Sequence, residues 1–478
     1  MFYPLPEIDE TFFAGASAYR RLIFPDAVHE NTGRYFPYTE RHVQALWFDD
    51  SLRPKNLKTS RGEPVLVENP GRWNLEAGPD FPNAVLLIGR EKRRVAGDAE
   101  IHIFSNDWKN HGHHTDPRYE NVHFHITWFP EPADPILFPP GTIHISLSER
   151  CAIDLESIDV TAYPYNEPRA SRSFPMSGKN SGCRLSQLPM FGKTAALATR
   201  SAEWQRSCLE NAGQERLRQK TQRMAWLIKK RGEAQAFYEE TAAALGYKNN
   251  KAPFRRLAQA LPLSVLTQYG SDWKTIYAVL LGISGLLPKQ PGAKWSVESK
   301  AYFRSLWDCW WHEEHKWEEV EVLTKADWNF SGLRPLNHPV RRLCALAQYV
   351  ASGFFEGKGG SPNRPWTAGT AIPAPSCFWT EYVGWKGTAK KAELVGAGRM
   401  KAIELNVFAP FRLAKGDSSV MENLSVEPMN SVIRETAYTL FGPDHSPKLY
   451  CSALARQGLI QIFNDFILTG RVAELSGE

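Results

Sequence analysis

The chain has 478 residues, 42% of them hydrophobic and 23% charged, with sixteen Trp and a formal charge of +5. That length holds two or three domains with a core each, and that composition excludes a disordered or collagen-like chain. The modest positive charge permits a polyanionic partner without requiring one.

In chain order, the opening MFYPLPEIDE lacks the basic start and apolar run of a secretory leader. Residues 38–49 (YTERHVQALWFD) carry apolar residues at helical spacing, with Thr39 placed to cap them. Strands are expected near 63–69 (EPVLVEN), 81–88, 95–104, 121–129 and 142–148, where alternating or continuous apolar runs sit between turn residues. The stretch 163–190 is rich in Pro, Ser, Gly and Asn and reads as a linker. Helical periodicity then dominates, near 192–231, 233–246, 253–268, 271–285, 296–316 and 338–352. GKGGSPNRPWTAGTAIPAPS (357–376) reads as a second loop, and helices return near 428–440 and 448–470. No tandem repeat is present. The expected organisation is an α/β domain over 1–165, a linker over 166–190, an α-helical domain over 191–356, a loop-rich linker over 357–395 and a C-terminal helical segment over 396–478.

Seven cysteines (151, 183, 208, 309, 344, 377 and 451) are scattered, odd in number and without a C-x-x-C pair. That pattern speaks against a disulfide framework and a Cys-based zinc site. No run reaches the length of a membrane span. A cytoplasmic protein with reduced thiols, not associated with a membrane, is expected.

Chemistry-bearing residues concentrate between Gly78 and His125. Six of the thirteen histidines lie from His102 to His125, among Asp80, Asp98, Glu100, Asp107 and Asp116. Imidazoles and carboxylates bind divalent metals and move protons near neutral pH. A hairpin centred near Arg90 would set Asp80 opposite Glu100, with Cβ atoms about 5 Å apart. His102, two residues beyond Glu100, shares its face of the strand. Two carboxylates there suit Mg²⁺ or Mn²⁺, and the imidazole leaves room for Zn²⁺.

HGHHTD (111–116) adds His111, His113, His114 and Asp116, able to form a second metal site, phosphate contacts or a lid, with His111 and His113 the preferred pair. It equally suits a polar loop in which Asp116 caps a short helix at Pro117. His125 would approach His102 if their strands are neighbours, with Tyr119 and Asn121 as supporting groups. In ERLRQKTQRMAWLIKKRG, Arg216, Lys220, Arg223 and Lys230 recur along one helical stripe. They are candidates for sequence-independent phosphate contacts, although an ordinary solvated helix face has the same pattern.

The order of helix, strand, strand opening with Pro79-Asp80, strand carrying Glu100-Ile101-His102, connecting segment and strand resembles the PD-(D/E)XK nuclease core. The resemblance implies a mixed-sheet, restriction-endonuclease-like core. It also implies Asp80, Glu100 and the Ile101 carbonyl as metal ligands, Glu40 as the helical acid, and His102 in the place of the superfamily's lysine. NPGRWNLEAGPDFPNA, GDAEIHIFSNDWKNHGHHTDPRYENVHFHI, FYEETAAALGYKNNKAPFRRLAQALPL and GLRPLNHPVRRL resemble domain-of-unknown-function family 2851, a bacterial family whose label brings no reaction.

The leading expectation is therefore a metal-dependent phosphodiesterase acting on DNA or RNA. The first alternative is a cupin-like metalloenzyme with zinc or iron on His102, His125 and His144. A second is an inactive nucleic-acid-binding protein, with His102 marking the lost lysine. The stretch 105–120 discriminates between the first two, since a nuclease core places a connecting helix there and a barrel needs only a loop.

Overall fold

The computed structural model describes residues 3–4, 7–23, 34–36, 38–74, 78–130, 135–151, 155, 158, 197–198, 200–247, 250–320, 322–331, 333–357, 377–442 and 444–467. The linker expected over 166–190, nearly all of the loop at 357–376 and the first residues of the helix expected from 192 lie outside them. The chain divides into two compact units, one built from 1–6, 10–219 and 429–478, the other from 7–9 and 220–428.

The first unit carries the candidate site. After a two-residue antiparallel pair, β1 (Tyr3–Pro4) with β2 (Arg34–Tyr35), and helix α1 (Ala14–Ile23), comes helix α2 (Glu40–Phe48). A five-stranded mixed sheet follows in the order β3 (Val65–Asn69), β4 (Phe81–Ile88), β5 (Arg93–His102), β6 (Val122–Thr127) and β7 (Ile143–Ser146). The pairs β3–β4 and β4–β5 are antiparallel, whereas β5–β6 and β6–β7 are parallel. A parallel neighbour needs a crossover. Here it consists of the one-turn helix α3 (Asp107–Asn110) and two 3₁₀ turns, His113–Thr115 and Pro117–Tyr119.

Strand alternation sorts the side chains of β5 and β6. Ala99, Ile101, Phe124 and Ile126 enter an apolar core with Val43, Leu46 and Trp47 of α2. Glu100, His102 and His125 are left on the other face, still buried. There a satellite cluster of Trp108, Tyr119, Val122 and Phe138 covers them.

The β4–β5 register decides where the acids fall. Ile88 pairs with Arg93 across the 89–92 turn, and that register carried straight on would bring Asp80 to Ile101. A bulge between Phe81 and Ala84, with Asn83 at φ 61°, shifts Phe81 onto Ala99 and so brings Asp80 to Glu100.

The helical part of the first unit closes around Tyr19, Leu209, Ala212, Ile433, Leu440, Ala455 and Leu459. Helix α4 (Ala202–Arg231) and the helix Ala453–Ile462 approach through glycines. A Cβ on Gly213 would lie 2.0 Å from the Leu454 carbonyl oxygen, and one on Gly458 would lie 1.9 Å from that of Leu209.

The second unit takes the end of α4 and helices α5 (Glu233–Leu245), α6 (Lys251–Ala260), α7 (Leu263–Leu266), α8 (Trp273–Ile283), α9 (Val297–Glu313) and α10 (Pro339–Ala351). Every residue from Ile276 to Leu281 in α8 is buried, which makes that helix its centre. A mixed five-stranded sheet in the N-terminal region followed by helices is thus the architecture. Among the described residues no helix is long and apolar enough to cross a membrane.

Candidate metal and phosphate site

Asp80 and Glu100 are locked together by the backbone of each other's strand. The Asp80 N–H donates to Glu100 Oε2 at 2.9 Å, and the Ile101 N–H donates to Asp80 Oδ2 at 3.2 Å. Gln44 Nε2, from α2, donates to Asp80 Oδ1 at 2.9 Å. Glu40 lies one helical turn before Gln44 and adds a third acid.

Burial raises the pKa of these acids, and neighbouring carboxyls raise Glu40 and Asp80 further. Burial first, then the charges of Asp80, Asp107 and Glu100, hold the Glu40 carboxyl well above its usual range. Burial and then Glu100 do the same to Asp80, against the bonds from Gln44 and Ile101. Burial pushes Glu100 up to about 8 and Asp107 to about 6. Arg41, whose guanidinium lies over the Trp73 ring, is the cation that pulls Asp80 back.

The other oxygen of Glu100 faces imidazoles. Glu100 Oε1 is 3.1 Å from His113 Nε2 and 3.8 Å from His102 Nε2. His102, His111 and His113 each offer one nitrogen within 4.8 Å of the others. Behind them runs a line of histidines across three strands. His102 Nδ1 lies 3.0 Å from His125 Nε2, and His125 Nδ1 lies 3.1 Å from His144 Nδ1. Burial, and then the neighbouring imidazoles, hold His102 and His125 well below the usual histidine range, so both are neutral at pH 7. Aromatic rings sheathe the line. His113 stacks on Tyr119 with centroids 3.8 Å apart, and Phe138 sits 4.7 Å from both His125 and His144.

The structure therefore gathers Glu40, Asp80, Glu100, His102, His111, His113, Tyr119 and His125 around one place. Asp116 and Asn121 are engaged elsewhere. Asp116 accepts the Arg118 N–H at 3.0 Å and pairs with its guanidinium, which is the capping role open to it from sequence. Asn121 donates to Asp98 at 3.2 Å, and Asp98 also accepts the Asn83 N–H at the bulge. His102, His125 and His144, the trio a barrel centre would use, are bonded to one another in a row. Sequence reading missed Gln44, which only its spacing from Glu40 could have suggested, and the role of Asp107. The latter accepts the Phe104 N–H at 2.9 Å and starts α3.

The basic stripe on α4 is engaged within the chain. Arg216 donates to Gln457 at 2.9 Å, Lys220 donates to Asn406, and Arg223 makes a two-pronged pair with Glu240 at 2.7 and 3.0 Å. Lys230 is exposed, with its ammonium 4.8 Å from the Trp226 ring. Arg255 also pairs with Glu240, and Arg341 and Arg342 are buried against backbone carbonyls that include Tyr382 and Leu394.

Comparison with known proteins gives two similarities. The replication-associated protein of Porcine circovirus 1 is 27% identical over 165 residues, 32% of this chain and 50% of that protein. The chain thus spans about half the length of this curated relative. No solved structure matches it. A family model covers residues 40–134 and 195–436, which take in strands β3 to β6 with their acid–histidine segment and most of the helices. With well over half of its length matched, the chain belongs to the family described as Protein of unknown function (DUF2851).

Proposed function

We propose that this chain is a metal-dependent phosphodiesterase that cleaves DNA or RNA, with Asp80 and Glu100 holding a Mg²⁺ or Mn²⁺ ion. His102 takes the place that lysine has in PD-(D/E)XK nucleases. The observation that carries the reading is the mutual lock of Asp80 and Glu100, each oriented by a backbone N–H of the other's strand. Helix α2, the antiparallel β3–β4–β5 and the crossover through α3 to a parallel β6 support it as well. The similarity to a replication-associated protein supports a nucleic-acid partner.

The residues fit a hard divalent cation. Four buried acids whose pKa values are all raised, Glu40 and Asp80 also by the charge of their neighbours, need either protons or a positive ion among them. Oxygen donors suit Mg²⁺ and Mn²⁺. When bound, such an ion neutralises phosphate charge and lowers the pKa of water beside it.

The chain's own residues do the rest. Gln44 and the Ile101 N–H fix both Asp80 oxygens, so the carboxylate is oriented before substrate arrives. His102, neutral and with Nδ1 turned to His125, keeps Nε2 3.8 Å from Glu100 Oε1, where it borders the acidic pair in the place of the superfamily's lysine. Glu40 adds negative charge at the α2 side, and Trp108 with Tyr119 excludes solvent on the opposite side.

The test is cleavage of labelled single-stranded DNA, duplex DNA and RNA by the full chain with Mg²⁺ or Mn²⁺. Cleavage is expected to stop with a chelator and to fall at least about a hundredfold in Asp80→Asn and in Glu100→Gln. Wild-type protein inert on all three substrates, or variants as active as wild type, would overturn the reading.

A further inference from the structure

We infer that His102, His111 and His113, together with Glu100, form a second metal site, one for a first-row transition ion with Zn²⁺ as the fitting occupant. The inference rests on the reading above for its place beside the acidic pair. Its own support is the imidazole geometry.

Three nitrogens, one from each histidine, lie within 4.8 Å of one another, and Glu100 Oε1 stands 3.1 Å from His113 Nε2. Zinc bound at about 2.0–2.1 Å by nitrogen needs four such donors around it. His111 is exposed on a loop, so its ring has room to draw in.

The independent observation is His102 itself. It is 0% exposed, yet Nε2 has no hydrogen-bond partner. A buried imidazole nitrogen without a partner is costly. Its other nitrogen explains why this one is available for a metal. In one of the two proton relays these contacts allow, His144 Nδ1 accepts from His125 Nδ1–H. His125 Nε2 then has only a lone pair, and His102 Nδ1 must donate to it. That leaves the lone pair of His102 on Nε2, facing His113 and Glu100. A ligand histidine whose far N–H is fixed by a partner is the usual arrangement at protein metal sites. Here the partner is a second histidine fixed by a third.

Donor chemistry separates this position from the acidic one. Three imidazoles and one carboxylate favour Zn²⁺ or Co²⁺ over Mg²⁺, which keeps to oxygen. The stacked Tyr119 and the Trp108 ring, 5.4 Å from the His113 ring, pack against that donor on two sides.

The experiment titrates metal-stripped full chain with Co²⁺ and follows its visible absorption. One equivalent is expected to give a strong band that Zn²⁺ displaces and a large excess of Mg²⁺ does not. His111→Ala, at an exposed position that does not threaten folding, is expected to weaken Co²⁺ at least tenfold, and His111→Ala with His113→Ala to abolish the band. Asp80→Asn is expected to keep it. No band in wild type, or an undiminished band in the double variant, would overturn the site. Mg²⁺-dependent cleavage without a Co²⁺ band removes this site and leaves the phosphodiesterase reading standing. A band without cleavage on any nucleic acid does the reverse.

Discussion

At the scale of single residues, the candidate site is a set of groups each held in a state it would not adopt in water. Glu100 at about 8 and Asp107 at about 6 bind protons more tightly folded than in the unfolded chain, where carboxyls titrate near about 4. The excess affinity belongs to the folded state. The contribution of these two carboxyls to stability is therefore fully present below the unfolded pKa and is lost as pH rises through about 4 to 8, while the buried neutral His102 and His125 act in the opposite sense as pH falls below the usual histidine range. A bound cation removes the penalty by supplying the charge that protons otherwise supply. The thermal midpoint of metal-stripped protein is expected to drop between about pH 6.5 and 8, where the histidines are largely neutral in both states and Glu100 is the one of these two carboxyls that still changes, and Glu100→Gln to flatten the drop. A midpoint that rises across that range would show that the acids are not buried together. The line behind His102 makes a second residue-scale prediction. His125→Gln keeps all the proposed ligands yet changes the partner of His102 Nδ1, and Co²⁺ affinity is expected to fall about 10–100-fold.

Elements place these residues, and much of their placement can be read from sequence. A turn near Arg90 and strand pairing bring Asp80 to the neighbourhood of Glu100, and the α2 position of Glu40 follows from helical spacing. What sequence cannot supply is the bulge at Asn83. Without it the same turn would bring Asp80 to Ile101, on the apolar face, so a one-residue irregularity decides whether the acids meet. The crossover is legible only in part. Its HGHHTD run was open between loop, lid and ligands, because which histidine turns inward depends on where Trp108 packs. That ring is 1% exposed, donates to the Leu137 carbonyl at 2.8 Å and lies against Phe138, Tyr119, His113 and His125. Trp108→Ala is expected to cost about 3–5 kcal/mol in urea unfolding, the range for a buried large aromatic. Trp108→Phe, which keeps an aromatic wall, is expected to cost clearly less. Equal losses would mean that the indole N–H, not the ring, anchors the segment.

Over the whole molecule, the α4 stripe shows where reading by periodicity stops. Arg216, Lys220 and Arg223 recur like a phosphate-binding face, but Gln457, Asn406 and Glu240 meet them from positions that helical spacing does not reveal. Glu240 is the centre of one such set, shared by Arg223 at 2.7 Å and Arg255 at 2.9 Å. Against the upward push of burial, the two guanidiniums hold its carboxyl below the usual range. The sign is thus opposite to that of the acid cluster. Stability from Glu240 is present above the unfolded carboxyl pKa, near about 4, and is lost as pH falls through the depressed folded value. Without metal, then, the acid cluster weakens the first unit toward alkaline pH, and the buried histidines of the first unit with Glu240 of the second oppose it toward acid, which leaves maximal stability at mildly acid to neutral pH. Calorimetry of metal-stripped protein across this range is expected to show that maximum. Glu240→Ala, which removes the carboxylate shared by the half-buried Arg223 and the buried Arg255, is expected to lose about 3–5 kcal/mol at neutral pH. It is also expected to remove part of the decline toward acid and leave the alkaline decline unchanged. A variant that altered the alkaline limb instead would tie Glu240 to the acid cluster, contrary to their separation into different units.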